Sequence, residues 1–229
     1  MDIVHHYTET GEGNPLILLH GNSEDCGYFS AQTDAFSDAF RVIAIDTRGH
    51  GLTPRGTAPF TIRQFADDLA CFMEEHSISK ADIVGFSDGA NIAMAFALKY
   101  PDKTCRLVLD GGNLYPSGMK FPILVSIVSA YILNRALSPF SGKARAKAEM
   151  LGLMARDPYI YPKELGGIQA PTLVIAGTSD MIRASHTRLI ARSVPGARLR
   201  IIEGDHFVAA GNPRDFNAAV LDFLTGNKR

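Results

Sequence analysis

A serine between two glycines is the part of this sequence with the clearest chemical meaning. Residues 85–89 read GFSDG, and they join an apolar run at 81–84 to a segment of helical period. A sharp turn from strand to helix needs small residues two positions before and after its serine, because larger side chains would collide there. Such a turn points the Ser87 hydroxyl outward. The pattern therefore predicts a nucleophilic serine.

An acid and a base that would activate Ser87 lie further along the chain. A serine hydroxyl is a weak nucleophile near neutral pH and needs a base, which an acid must hold in the right tautomer. Asp180 and His206 each follow an apolar run, and the carboxyl ends of parallel strands meet at one edge of a sheet. We therefore predict a triad of Ser87, His206 and Asp180. Asp110 also follows an apolar run and is the alternative acid, but the longer turn before Asp180 gives that residue more room to reach the imidazole.

Backbone N–H groups near the serine are the expected donors to an oxyanion. One is the N–H of Asp88, at the start of the helix that follows the nucleophile. The other is expected in the loop after the first core strand, residues 20–23, where we favour the N–H of Asn22 and place Ser23 second. His20 is expected to brace this loop rather than to transfer protons.

Short apolar runs alternate with segments of helical period, and this alternation predicts the fold class. The runs are continuous, as expected for strands of a parallel sheet that is covered on both faces. They are Leu16–Leu19, Val42–Ile45, Ile83–Val84, Leu107–Leu109, Leu173–Ile175 and Leu199–Ile202. Helical stripes follow at 62–73, at 92–100 and after Asn212, with Pro213 in the first helical position. The pattern predicts a doubly wound, mostly parallel α/β sheet.

Residues 113–169 interrupt this alternation. They contain no strand pattern, only helical segments near 121–137 and 141–155. The stretch lies between two predicted strands, so we expect a helical insertion on the sheet rather than a second core. The predicted core is therefore formed by residues 1–112 and 170–229.

Composition excludes several classes of protein. Lys and Arg number 23 against 24 Asp and Glu, a net charge of −1, so no basic surplus favours nucleic acid. The longest apolar run, 121–133, is shorter than the roughly 20 residues that span a bilayer. The N-terminus has no secretory pattern. The expected partner is a small-molecule substrate in the cytoplasm.

Cysteine and histidine positions give no metal-binding pattern. The three cysteines are far apart and form no CxxC pair, so we expect buried, reduced thiols and neither metal nor cofactor. Five histidines have no partner in the sequence pattern and are expected on the surface or in loops. These are His5, His6, His50, His76 and His186.

Taken together, the motifs resemble the α/β-hydrolase superfamily. They are His20-Gly21, Asp46-x-Arg48-Gly49-x-Gly51 and Gly85-x-Ser87-x-Gly89, followed by Asp180 and His206. The set is most similar to the branch of small esterases, C–C hydrolases and cofactor-free haloperoxidase-like proteins. The resemblance implies that the 46–51 turn is structural and that 113–169 forms a cap over the site. Ser87 in the nucleophile position disfavours members with an aspartate nucleophile.

The cap and the acidic residues near Ser87 bear on the substrate. Most apolar side chains of the cap are expected to pack it onto the sheet, and a few would line an apolar pocket. The residues we assign to that pocket are Phe121, Leu124 and Tyr131. Asp88, Glu24 and Asp25 would favour neutral or cationic substrates, unless the Asp88 carboxylate braces its own helix.

Two functions fit this sequence. The first is a serine hydrolase that cleaves small carboxylic esters through an acyl-enzyme, or thioesters, lactones or C–C bonds with the same residues. The alternative is a small-molecule sensor of the same fold that hydrolyses its ligand slowly or only once. Steady turnover after a burst separates the enzyme from the sensor.

Overall fold

Seven strands form one sheet in the computed structural model, which describes residues 2–226. In chain order the strands are β1 (Tyr7–Thr10), β2 (Pro15–Leu19), β3 (Arg41–Ile45), β4 (Ala81–Phe86), β5 (Thr104–Asp110), β6 (Thr172–Gly177) and β7 (Arg198–Ile202). Across the sheet they run β1-β3-β2-β4-β5-β6-β7. Only β1 pairs antiparallel, with β3, and the other neighbours are parallel. The predicted fold class is confirmed. Residues 1 and 227–229 of the predicted core lie outside the described residues.

Six of the α-helices in the described part of the chain cover the two faces of this sheet. All eight are α1 (Ser30–Phe36), α2 (Ile62–Glu75), α3 (Asp88–Lys99), α4 (Phe121–Leu137), α5 (Gly142–Arg156), α6 (Ala184–Ser193), α7 (Val208–Gly211) and α8 (Pro213–Thr225). One core cluster packs α2, α3 and α6 against the sheet. The other packs α1, α7 and α8 against the opposite face. The sheet is therefore doubly wound.

Strand β2 shows why the apolar runs are continuous. Ile17 and Leu19 belong to one core cluster, while Leu16 and Leu18 belong to the other. Successive side chains of a strand point to opposite faces, so a strand covered on both sides needs apolar residues at every position.

The two edge strands depart from the sequence expectation. Strand β7 lies at the sheet edge, and its Leu199 and Ile201 are 39% and 46% exposed, so double-sided cover was wrong for this run. Strand β1 was not predicted, because its residues YTET form no apolar run and are largely exposed.

The helix boundaries follow local sequence signals. The Thr61 side chain caps α2 by accepting the N–H of Gln64. Asn212 caps α8 by accepting from Asp215, with Pro213 in the first turn, as predicted. These caps satisfy N–H groups that have no partner within the helix.

Helices α4 and α5 form a helical hairpin between β5 and β6, within the predicted insertion. The hairpin is held to the rest of the chain at α5: the Arg55 guanidinium pairs with Glu149 at 2.8 Å, and the Met150 carbonyl accepts from Asn22 at 2.9 Å. None of the residues of α4 is buried, so the expectation that its apolar side chains mainly pack onto the sheet was wrong. No helix in residues 2–226 is long and apolar enough to cross a membrane.

Several cysteine and histidine expectations were also wrong. The three cysteines are half-buried rather than buried. His5 and His50 are buried, but they lie in loops as expected, whereas His186 is buried within α6, so the expectation was wrong for His186. His186 Nε2 accepts the N–H of Leu114 at 2.9 Å, and burial lowers its pKa to about 4. The partner lies far away in the sequence, so no local pattern indicated it.

Candidate active site

The turn between β4 and α3 places Ser87 in a strained backbone conformation. Its φ of 52° and ψ of −116° lie outside the regions that L-residues ordinarily occupy. The flanking glycines are needed for close backbone approach. A Cβ on Gly85 would lie 2.3 Å from the Gly89 carbonyl oxygen, and one on Gly89 would lie 2.0 Å from that of Leu19. These contacts explain the glycine spacing that the sequence shows.

Three side chains from separate strand ends meet at this turn. The Ser87 hydroxyl lies 3.0 Å from His206 Nε2, and His206 Nδ1 lies 2.8 Å from Asp180 Oδ1. Asp180 follows β6 and His206 follows β7, and both are buried. In this arrangement Nδ1–H donates to the carboxylate, which leaves Nε2 free to accept the serine proton. The structure thus brings the three predicted triad residues into one hydrogen-bonded chain.

Asp180, rather than Asp110, contacts the imidazole. Asp180 Oδ1 also accepts the N–H of Ile182 at 2.8 Å, which fixes the carboxylate in place. Asp110 is buried, and neither oxygen of its side-chain carboxyl group has a hydrogen-bond partner in the described part of the chain. Burial, with the nearby Asp180 charge, raises the pKa of Asp110 well above its usual value. This shift favours the uncharged form of Asp110, which suits it less than Asp180 to support an imidazolium.

The two proposed oxyanion donors are available on the loop after β2 and at the start of α3. Within residues 2–226, neither the Asn22 nor the Asp88 backbone N–H donates to another group. Asp88 is the first residue of α3, where backbone N–H groups lack partners within the helix. Ser23, the second choice, has a φ of 64° and its hydroxyl donates to Asn22 Oδ1 at 2.9 Å.

His20 braces the loop of residues 20–23, as expected from the sequence. Its Nδ1–H donates to the Gly21 carbonyl at 2.7 Å, and its Nε2 accepts the N–H of Thr47 at 3.1 Å. Burial lowers the pKa of His20, which keeps the ring neutral. Both ring nitrogens are therefore engaged in holding the loop.

The Asp88 carboxylate is part of a buried network. It accepts from Asn22 Nδ2 at 2.9 Å and from Asn91 Nδ2 at 3.3 Å, and burial raises its pKa to about 6. Asn91 also donates to Asn113 Oδ1 at 3.1 Å. No motif in the sequence indicated this network, although Asn91 on the buried face of α3 is a signal for one. The contacts support the bracing alternative for Asp88.

Glu24 lies on the loop after β2, and its side-chain carboxyl group has a raised pKa. Its carboxylate accepts the N–H of Gly21 at 3.0 Å. Burial raises its pKa from 4.5 to about 7, although the Gly21 N–H and the nearby His206 oppose the shift. Near neutral pH, Glu24 is therefore divided between its neutral and charged forms.

Replacing Glu24 by Gln should change how stability depends on pH. Because the pKa is higher in the folded state, the unfolded chain loses this proton near pH 4.5 and the folded protein near pH 7. The free energy of unfolding contributed by Glu24 therefore falls as pH rises through that interval. We expect Glu24→Gln to gain stability relative to the wild type across the same interval, as measured by urea unfolding. Parallel curves for the two proteins would contradict the shifted pKa.

Of the three predicted pocket residues, one lines a cavity and two do not. A cavity of about 760 Å³ lies between the helical hairpin and residues 55–61, and Tyr131 lines it. Phe121 is 75% exposed, Leu124 is half-buried, and neither lines the cavity. Ser87 is not among its lining residues either.

One group of side chains in residues 2–226 has the atom types of a metal site. Ligand atoms of His6, Cys26 and Asp46 lie within 4.8 Å of one another. The Asp46 oxygens already accept the N–H groups of Cys26 and Leu52, and burial raises the pKa of the Cys26 thiol to about 11. Metal binding requires a thiolate. These contacts make the cluster part of the hydrogen bonding that holds the 46–51 turn.

Comparison with known proteins matches both the sequence and the fold. Residues 14–152 match a family model described as the alpha/beta hydrolase fold. A 2-(acetamidomethylene)succinate hydrolase of Mesorhizobium japonicum is 34% identical over 250 residues, covering 94% of this chain and 90% of the relative. A 2-hydroxy-6-oxononadienedioate/2-hydroxy-6-oxononatrienedioate hydrolase of Burkholderia vietnamiensis is 28% identical over 259 residues, covering 96% of this chain and 90% of the relative. The crystal structure of the enol-lactonase from Burkholderia xenovorans LB400 has a TM-score of 0.80 at 26% identity, covering 96% of each chain.

Proposed function

Because the chain belongs to the alpha/beta hydrolase family, we propose that it is a serine hydrolase of small carboxylic esters and related acyl compounds. The observation that carries this proposal is the unbroken hydrogen-bonded chain from Ser87 through His206 to Asp180. A strained serine with a positioned base and a buried acid is suited to nucleophilic attack on a carbonyl group.

In the first half of the reaction, Ser87 Oγ attacks the carbonyl carbon of the ester. His206 Nε2 takes the hydroxyl proton as the C–O bond forms, and the Asp180 carboxylate stabilises the resulting imidazolium. The tetrahedral intermediate collapses with loss of the alcohol, which receives the proton from His206. The product of this half is an acyl group on Ser87.

In the second half, water replaces the alcohol. The water oxygen attacks the acyl carbon while His206 accepts a proton from that water. His206 then gives this proton to Ser87 Oγ when the acyl–serine bond breaks. The carboxylic acid leaves and the hydroxyl is restored. The sum is ester and water converted to acid and alcohol, and the chain needs no further group for either half.

The oxyanion that forms in both halves is assigned to the N–H groups of Asn22 and Asp88. The Asn22 side chain supports this role because it donates both to the Asp88 carboxylate and to the Met150 carbonyl, each at 2.9 Å. One side chain thus joins the two donors to α5. Preorganised donors of this kind stabilise the transition state because they need not reorient during the reaction.

Removing the Asn22 side chain should slow the reaction without abolishing it. Asn22→Ala keeps the backbone N–H but loses the hydrogen bonds that the side chain makes to Asp88 and Met150, together with the one it accepts from Ser23. We expect kcat to fall by roughly tenfold, less than the ~10²-fold or greater loss when a donor itself is removed. Asn134→Ala is the matched control, since in the described part of the chain the Asn134 side chain bonds only Ala130 of its own helix. An Asn22→Ala enzyme with unchanged kcat would contradict this role.

The helical hairpin is proposed to act as the cap of this site. Its support is the contact of α5 with Asn22 and the bond from the Ile62 N–H to Asp157 at 2.7 Å, just beyond α5. The first contact fastens the hairpin to the loop after β2, and the second fastens it to the start of α2. A cap at this edge would cover the substrate bound at Ser87 and limit its exposure to bulk solvent, while the water that attacks the acyl-enzyme still enters.

A burst experiment tests the proposed function against the sensor alternative. An activated aryl acetate is mixed rapidly with the protein, and release of the phenol is followed. We expect a burst followed by steady turnover, because attack by water on the acyl-enzyme regenerates free Ser87 for the next substrate molecule. A burst that stalls at one equivalent favours the sensor, and absence of any phenol release would contradict both functions.

A further inference from the structure

The cavity beside the helical hairpin contains arginine side chains that have no role in the proposed catalysis. Its volume is about 760 Å³, and its walls come from α4, α5 and residues 55–61. Four of the side chains that line it are arginines: Arg55, Arg135, Arg145 and Arg156. Only two carboxylates, Glu149 and Asp157, share the lining. The cavity is therefore positively charged in a chain whose net charge is −1.

The two carboxylates are already engaged. Glu149 forms a bidentate pair with Arg55, with N–O distances of 2.8 and 3.0 Å. Asp157 accepts the N–H of Ile62 at 2.7 Å, and burial raises its pKa. Neither carboxylate forms an ion pair with the other three arginines in the described part of the chain.

In the part of the chain that the structure describes, Arg135 and Arg145 are the two guanidinium groups of this cavity that neither pair with a carboxylate nor lie against an aromatic ring, since Arg55 pairs with Glu149 and Arg156 donates to the Tyr131 hydroxyl at 2.8 Å. Within residues 2–226, Arg135 donates only to the Ser138 hydroxyl, at 3.1 Å. The Arg145 side chain has no hydrogen-bond partner within residues 2–226. Both residues are exposed to solvent at the cavity. Guanidinium groups in this state are available to bind carboxylates with two parallel hydrogen bonds.

The rest of the cavity wall is uncharged and includes two aromatic rings. The Arg55 guanidinium lies 5.0 Å from the Phe60 ring centroid, and the Arg156 guanidinium lies 5.9 Å from that of Tyr131. Three small apolar residues and two hydroxyl side chains complete the lining: Pro139, Ala148, Gly152, Thr61 and Ser138. Aromatic and aliphatic surface of this kind suits the carbon skeleton of an organic anion better than it suits a bare inorganic ion.

We propose that this cavity is a binding site for a small organic dicarboxylate, separate from the catalytic centre. Arg135 and Arg145 would each bind a carboxylate group, and the wall formed by Phe60 and Tyr131 would contact the carbon skeleton between them. We choose a dicarboxylate because each of these two guanidinium groups can bind one carboxylate group. The site lies apart from Ser87, which does not line the cavity.

Calorimetric titration with phthalate tests this site, with the neutral phthalamide as its uncharged counterpart. We expect the wild type to bind phthalate and not phthalamide, and Arg135→Gln and Arg145→Gln each to weaken phthalate binding about tenfold or more. Lys147→Gln is the matched control: it removes one positive charge from an exposed position of α5 outside the cavity, and it should leave the Kd unchanged. Ser87→Ala should also retain binding.

Three outcomes would overturn the proposal. The first is absence of phthalate binding by a folded wild type, as judged by circular dichroism. The second is equal weakening by Lys147→Gln and Arg145→Gln, which would indicate general charge attraction. The third is loss of binding in Ser87→Ala or in protein whose Ser87 carries a covalent inhibitor, which would place phthalate in the catalytic centre.

Discussion

Ser87→Ala should lower kcat for ester hydrolysis by about 10⁶-fold, the loss expected when the nucleophile of a complete triad is removed. The reason is that Ser87 Oγ is the atom that forms the acyl-enzyme, and His206 Nε2 has no other hydroxyl within hydrogen-bond distance in residues 2–226. The measurement is steady-state hydrolysis of an aryl ester by wild type and variant.

Ser179→Ala is the matched control for this variant. Ser179 precedes the triad acid on the same loop and is exposed. Its backbone N–H donates to the Gly204 carbonyl at 2.9 Å, and the substitution leaves that bond in place. We expect Ser179→Ala to keep wild-type activity. A folded Ser87→Ala protein that hydrolyses the ester at the wild-type rate would remove Ser87 from the mechanism.

Asp180→Asn should lower kcat by about 10⁴-fold. An asparagine amide can donate to His206 Nδ1 and so favours the tautomer with the proton on Nε2, where it blocks acceptance from Ser87. The geometry of the site is kept, because Asn has the same shape as Asp. We therefore expect the loss in kcat with little change in the urea midpoint of unfolding.

Asp110→Asn separates the two acids that the sequence allowed. The Asp110 carboxyl group makes no hydrogen bond to the imidazole in the described structure, and burial raises its pKa, so the isosteric amide should leave kcat within a few-fold of wild type. Equal losses in the two variants, or a larger loss in Asp110→Asn, would assign the triad acid to Asp110 instead of Asp180.

The proximity of Ser87, His206 and Asp180 could be predicted from the sequence because simple rules place these residues. Parallel strands that are covered on both faces leave continuous apolar runs, and the carboxyl ends of parallel strands meet at one sheet edge. Ser87 and Asp180 follow such runs, and His206 follows the edge strand β7, whose residues are partly exposed but whose carboxyl end lies at the same sheet edge. The glycines at 85 and 89 are readable as well, since only glycine tolerates the backbone contacts at those positions.

Other features depend on contacts between residues distant in the sequence and could not be predicted. The raised pKa of Asp110 results from its burial beside Asp180, and the raised pKa of Glu24 results from burial of its carboxyl group. The exposure of the apolar residues of α4 was missed for a different reason. An apolar helix predicts burial, but the position of this hairpin leaves α4 without a buried residue.

Covalent labelling with an activated alkyl phosphonate tests the central claim most directly. A triad serine attacks the phosphorus and keeps the adduct, so proteolysis and mass spectrometry can locate it. We predict one phosphonyl group per chain, on the peptide that contains Ser87, absent in Ser87→Ala and formed slowly in Asp180→Asn. Labelling of Ser23 or Ser179 in place of Ser87, or no label on a folded chain that hydrolyses esters, would contradict the proposed mechanism.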